Sequence, residues 1–222
     1  MGDRAHLIVE AGASLTISAD SSLGTAFLEL NGDPDDTADL IIAGTLSIGA
    51  ISSQYGIRLT NGRILPVAGQ NPTLTFVDEN DDTDPPTIRG YGEISVKLIS
   101  DGVVQATTSG ETLWLTGGEK QATYETDGSG QWQARDGGVL RVDCQVSGSG
   151  KWLIDQGIGQ SEIVVDHCQT ELAGDVEALG GKITFNASFC TSGQVRYKNT
   201  TVTVQPGKST KYGSACPAGF CP

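Results

Sequence analysis

The chain has 222 residues, 37% of them hydrophobic and 6% aromatic, with 30 glycines and a formal charge of −13. That charge repels nucleic-acid phosphates and anionic lipid, and no run of Lys or Arg makes a local exception, so nucleic acid is excluded as a partner. Abundant glycine beside few aromatic and charged residues suits a turn-rich β protein better than a helical one.

Met1 to His6 lacks the charged and apolar regions of a secretory signal, which is therefore expected to be absent, already removed or encoded outside this stretch. His6 stands where a myristoylation site prefers Ser or Thr. The longest apolar stretch, Leu40 to Ile51, is short and rich in Gly, Thr and Ser, so no membrane-spanning segment is expected.

The first half alternates apolar runs with acidic ones. Leu28-Glu29-Leu30 precedes NGDPDDT and then LIIAGTLSI; Thr75-Phe76-Val77 precedes DENDDTDPPT and then IRGYGEISV. The apolar runs read as strands and the acidic runs, near 31–39 and 78–86, as loop insertions projecting from one common side. Gly44 and Gly92 lie 48 residues apart, the spacing of two coils of about 24 residues. Asn31, Asp33 and Asp35 alternate, as do Asp78, Asn80 and Asp82, and hard oxygen ligands so arranged suit Ca²⁺. The second set has Thr83 and Arg89 where an EF-hand loop needs Gly and Glu, so it is not an EF-hand; solvated acidic loops are the competing reading.

The second half repeats more clearly. CQVSGSGKWLIDQG from Cys144 aligns without a gap to CQTELAGDVEALGG from Cys168, pairing Gly150 with Gly174 and Trp152 with Val176. CTSGQV from Cys190 adds Gly193 and Val195 to the same positions, and ATYETDGSGQW from Ala122 matches VDCQVSGSGKW from Val142, placing Trp132 on Trp152. Two columns are therefore expected, Tyr124, Cys144, Cys168 and Cys190 in one, and Trp132, Trp152, Val176 and Val195 in the other. Repeats of this length bury a continuous core only by stacking.

The expected fold is all-β, a single-stranded right-handed parallel β-helix, or β-solenoid, with coils of roughly 20 to 24 residues. It spans residues 1–212, and 213–222 forms a Cys/Pro/Gly-containing tail or cap. From Leu7 to Val204 the chain resembles the pectin-lyase-like right-handed β-helix superfamily and the passenger regions of bacterial surface adhesins. The resemblance lies in coil length and Gly-punctuated strands. It implies an extracellular carbohydrate-active, adhesive or structural role and transfers no catalytic residue.

Trp132 and Trp152 could stack as a sugar platform, but the valines that follow them in the column point to an inward, packed position. Cys144, Cys168, Cys190, Cys216 and Cys221 are disulfide candidates: neighbouring strands bring stacked cysteines within bonding reach, and Cys216 with Cys221 could close a small loop or cap the end. Five cysteines leave one over, which an oxidising setting could use between chains. His167 beside Asp166 invites a catalytic reading, yet adjacent strand residues face opposite ways. No GxSxG elbow, HExxH or phosphate loop occurs. Asp155, Asp166, Arg135 and Arg141 are unranked candidates for a site assembled across coils. Asn186 and Asn199 begin Asn-x-Ser/Thr sequences.

The preferred expectation is a noncatalytic extracellular or cell-surface solenoid, structural or adhesive, that self-associates as a fibre or sheath subunit or holds surface glycans. The alternatives are a carbohydrate-active β-helix enzyme, a polysaccharide lyase or glycoside hydrolase, or a carbohydrate-binding module without turnover.

Overall fold

Short runs of alternating burial build this molecule: Ala38–Ile42 and Lys151–Ile154, for example, send every second side chain inward. The structure, a computed structural model, describes residues 5–50, 56–78, 87–124, 130–155 and 160–221. Among them it is all-β without a helix, its 22 strands forming one large parallel sheet curved nearly closed on itself.

The pairings resolve into three parallel ladders that the chain visits in strict rotation. The first contains Ala5–Glu10, the end of Ser21–Asn31, the starts of Gly56–Pro66 and Thr87–Ile94, then Val103–Ala106, Gln131–Ala134, Lys151–Ile154, Val176–Ala178 and Val195–Tyr197. The second contains Ser14–Ile17, Ala38–Ile42, the ends of Gly56–Pro66 and Thr87–Ile94, the starts of Thr112–Tyr124 and Val139–Gly148, then Glu162–Val165, Lys182–Phe185 and Thr201–Val204. The third contains the start of Ser21–Asn31, Thr45–Ala50, Thr73–Asp78, Lys97–Ser100, the ends of Thr112–Tyr124 and Val139–Gly148, then Gln169–Leu172, Phe189–Thr191 and Thr210–Tyr212. Each ladder holds nine strands, and parallel pairing of this kind requires both faces of the chain path to be organised by crossovers.

Inward residues stack like on like. Leu28, Ile57, Ile88, Val104, Trp132, Trp152 and Val176 follow one another in register along the first ladder, all essentially inaccessible. The two indole rings are parallel, 6.0 Å apart and tilted by 7°, and Phe189 meets Trp152 edge-on at 5.6 Å. The expected Trp132, Trp152, Val176, Val195 column is thus present residue for residue, and it is core.

Glycine marks the corners where successive backbones come closest. A Cβ on Gly174 would fall 1.6 Å from the Gly150 carbonyl oxygen, and one on Gly193 would fall 2.3 Å from that of Gly174. The aligned glycines are therefore required by contact between turns.

Several expectations need correction. Partners along a ladder lie from 16 residues apart (Ile88 to Val104) to 31 (Ile57 to Ile88), a wider range than 20 to 24, because the corner loops vary in length while the strands do not. Gly92 stacks on Gly62, so its 48-residue spacing from Gly44 does not mark an equivalent position. The 31–39 acidic segment joins the first ladder to the second, whereas the 78–86 segment joins the third to the first, so they leave from different corners.

The cysteine column also dissolves. Cys144 stands opposite Gly118, and Thr123, not Tyr124, pairs within that strand with Ser147. Gln169 pairs with Phe189, which sets Cys190 two residues beyond the position opposite Cys168. The disulfides join Cys168 to Cys221 and Cys190 to Cys216, so Cys216 and Cys221 do not close a loop on each other, and Cys144 is buried outside both bonds. Phe189 points into the core, so Cys190 beside it faces outward, and the tail that covers it runs along the outside of the third ladder.

Candidate functional site

Outward residues of the first ladder form a column of their own: Glu29, Arg58, Arg89, Gln105 and Gln133 in register. Glu29 approaches Arg58 at 3.6 Å, and the Gln105 amide donates to Gln133 Oε1 at 2.7 Å. Between them, Arg58 and Arg89 stand one above the other. At the neighbouring corner Thr107, Thr108 and Asp136 complete a polar cleft of about 390 Å³. Gly90 makes the cleft possible, since a Cβ there would fall 1.8 Å from the Leu59 carbonyl oxygen. Asp136 is held at a left-handed φ of 53° in the tight turn that ends at Gly137 and Gly138. Two guanidinium forks beside hydroxyls and amides suit a carboxylate- or sulfate-bearing ligand with several hydroxyls.

The other charged residues are mostly engaged between adjacent turns. Arg63 grips Asp39 with two bonds of 2.8 and 2.6 Å; this holds the Asp39 carboxyl below its ordinary range and raises the Arg63 guanidinium. Glu177 is drawn down by the Lys151 ammonium, with Arg196 adding to it. Lys182 meets Glu162 at 3.1 Å. Arg141 also lies over the Trp114 ring, 5.0 Å from its centre.

The four unranked catalytic candidates fall into this pattern. Arg135 binds Asp155 and Arg141 binds Asp166, two separate cross-turn bridges on different ladders rather than one assembled site. The second oxygen of Asp166 accepts from Asn186 at 2.7 Å, so both oxygens are engaged away from His167. The same bond occupies the Asn186 side chain, while Asn199 sits exposed at a left-handed turn.

Of the calcium candidates, Asp33 Oδ1 accepts the backbone N–H groups of Asp35 and Asp36 at 2.9 and 2.8 Å, folding the loop on itself. Asn31 lies in the first ladder, paired with Glu10 and Thr60. Asp78 ends a strand of the third ladder, and Asn80 and Asp82 lie outside the described residues. Among the described residues no group of three or more His, Cys, Asp or Glu side chains converges on a metal position.

Sequence reading missed the Arg58, Arg89 and Gln105 column. Each residue stands in a different turn, and the unequal loops between them, 31 and 16 residues, hide the register. It also missed a division of charge: residues 178–222 contain five Lys or Arg and no Asp or Glu, while residues 5–50 contain seven Asp or Glu and no Lys or Arg.

No helix among the described residues is long and apolar enough to cross a membrane. Comparison with family models, with curated proteins and with solved structures found no match for this chain.

Proposed function

We propose that this chain is a right-handed β-solenoid that serves as a noncatalytic structural or adhesive module outside the cell. The observation that carries the reading is the binding of turn to turn: outward Arg, Lys, Asp and Glu side chains bridge successive strands, and two disulfides staple the tail to the last turns. Such a build favours a stiff rod with an invariant surface. Disulfides persist outside a reducing cytoplasm, which supports placement at the cell surface or beyond.

A second reading, a carbohydrate-binding module, is favoured by the Arg58 and Arg89 cleft. Its lining includes one carboxylate, Asp136, whereas glycoside hydrolysis ordinarily needs a facing pair. Binding of an acidic polysaccharide without turnover fits that chemistry better than cleavage.

Incubation with acidic and neutral polysaccharides, followed by product analysis and a binding measurement, tests both readings. The expected result is no cleavage. Cleavage of any of them would overturn the noncatalytic reading, and retention of acidic chains alone would select the adhesive form.

A further inference from the structure

The partly buried apolar side chains packed against the core share one property: Leu7, Leu15, Ile17 and Leu23 belong to the first turn, and Val195, Tyr197 and Tyr212 to the last. Val202 and Val204 of the last turn continue the inward columns of Ile183 and Phe185, both fully buried, yet remain 38% and 40% exposed. The tail does not cover them. From the last turn it runs backward, with Cys216 bonded to Cys190 one turn earlier and Cys221 bonded to Cys168 a turn before that. Both ends of the stack thus present apolar core and strand edges that pair on one side only among the described residues.

Those ends match each other. The edge strands keep the same order, and the arc from Leu7 to Leu15 is eight residues against nine from Val195 to Val204, the equivalent inward positions. Their charges are opposite. Arg196, Lys198, Lys208 and Lys211 surround the last turn; Glu10 and Asp20 belong to the first, with Asp36 beside Gly12. None of Lys198, Lys208 and Lys211 takes part in an ion pair among the described residues. A symmetric pairing would set like charge against like and reverse the strand direction at the joint.

We propose that a second copy of this chain docks head to tail, its first turn on the last turn of the one before, continuing all three parallel ladders. The proposal deepens the structural reading above and rests on it. The contact uses two different surfaces, so it does not close, and repetition yields an open filament. Apolar ends and unpaired edges supply the attraction, and the opposite charges select this orientation over its reverse.

The test blocks one end at a time. Val202→Asp with Val204→Asp blocks the tail surface; Glu10→Lys with Leu15→Lys blocks the head. Sedimentation and electron microscopy should show filaments for the natural chain, monomers for each blocked variant, and a species of twice the monomer mass, and no larger, when the two are mixed. Far-UV circular dichroism and disulfide mapping check that each variant folds. A third variant, Lys198→Glu with Lys208→Glu, alters exposed charge only and should slow filament growth; mixing with Glu10→Lys with Asp36→Lys should restore pairing. Filaments from either folded blocked variant, a symmetric natural dimer, a monomeric natural chain or a mixture that stays monomeric would each overturn the joint. A natural chain that remains monomeric and inert on polysaccharides overturns the joint alone, whereas polysaccharide cleavage overturns the noncatalytic reading whatever the assembly state.

Discussion

Replacing Trp152 with Ala tests whether the aromatic column is the mechanical centre of the second half. Trp152 is fully buried, stacked on Trp132 at 6.0 Å and met edge-on by Phe189 at 5.6 Å, with Val176 in register on the following turn. Removing a buried Trp deletes its transfer free energy and leaves a cavity that the surrounding strands cannot close. The expected loss is about 3–5 kcal/mol. Trp152→Phe separates packing from polarity. It keeps an aromatic contact with both neighbours and removes an indole N–H that is buried without a hydrogen-bond partner among the described residues. Leaving such a donor unsatisfied costs roughly 1–3 kcal/mol, so its removal should offset much of the lost ring area. The Phe variant is therefore expected to lose less than half of what the Ala variant loses. Urea unfolding at neutral pH, followed by far-UV circular dichroism with the disulfides intact, measures both. A loss below about 1 kcal/mol for Trp152→Ala would show that the position is not packed as described, and equal losses for the two variants would refute the argument about the N–H.

Asp39→Asn should lower stability by on the order of 1 kcal/mol at pH 7. Because Arg63 depresses the folded-state pKa of Asp39, the pair stabilises the fold above the ordinary carboxylate range, and this contribution fades as pH falls through the lowered value. The difference between the natural chain and the variant should accordingly shrink in strong acid, and a constant gap in urea midpoint from neutral to acid would contradict the ion pair. Gly174→Ala should cost at least about 1–3 kcal/mol, since the backbone must move away from the Gly150 carbonyl; an unchanged thermal midpoint would refute the close contact. Cys190→Ala with Cys216→Ala opens a link with a sequence separation of 26. Its loss should cost about 3 kcal/mol and expose the tail to protease; proteolysis no faster than in the natural chain would place the tail elsewhere. Arg89→Ala should weaken retention of an acidic polysaccharide at least tenfold while leaving the melting temperature within a degree or so, roughly the effect of an exposed substitution. Loss of neutral-polysaccharide binding to the same extent would argue against guanidinium recognition.

Side-chain chemistry made part of this architecture legible and chain length hid the rest. Trp132 and Trp152 are 20 residues apart, and Trp152 and Val176 are 24 apart, so identical or similar inward residues announce the register where loops are regular. The same alignment fails four residues further out. Ala122 pairs with Val146 rather than Val142, because the connection from Ala122 to Trp132 is four residues longer than that from Val146 to Trp152. A match anchored on the tryptophans carried the wrong strand with it. The cysteines misled differently. A shared 24-residue spacing suggested a stacked column, but Gln169 fills the site, accepting from Val146 N–H and donating to the Cys144 carbonyl. Formal charge concealed the ends, since −13 averages an acidic first turn with a basic last one. The Arg58 and Arg89 cleft is a product of register alone, and no local motif could have announced it.

The unequal loops have one more consequence, which concerns size. Adjacent strands in a ladder are separated by about 4.8 Å, so nine of them measure roughly 40 Å along the stack, whatever the corners contribute in chain length. Duplication or loss of one whole circuit would change that span by a single strand spacing and leave the side-chain columns intact. The molecule is in this sense a ruler graduated in turns, and its reach can evolve independently of the chemistry displayed at its corners.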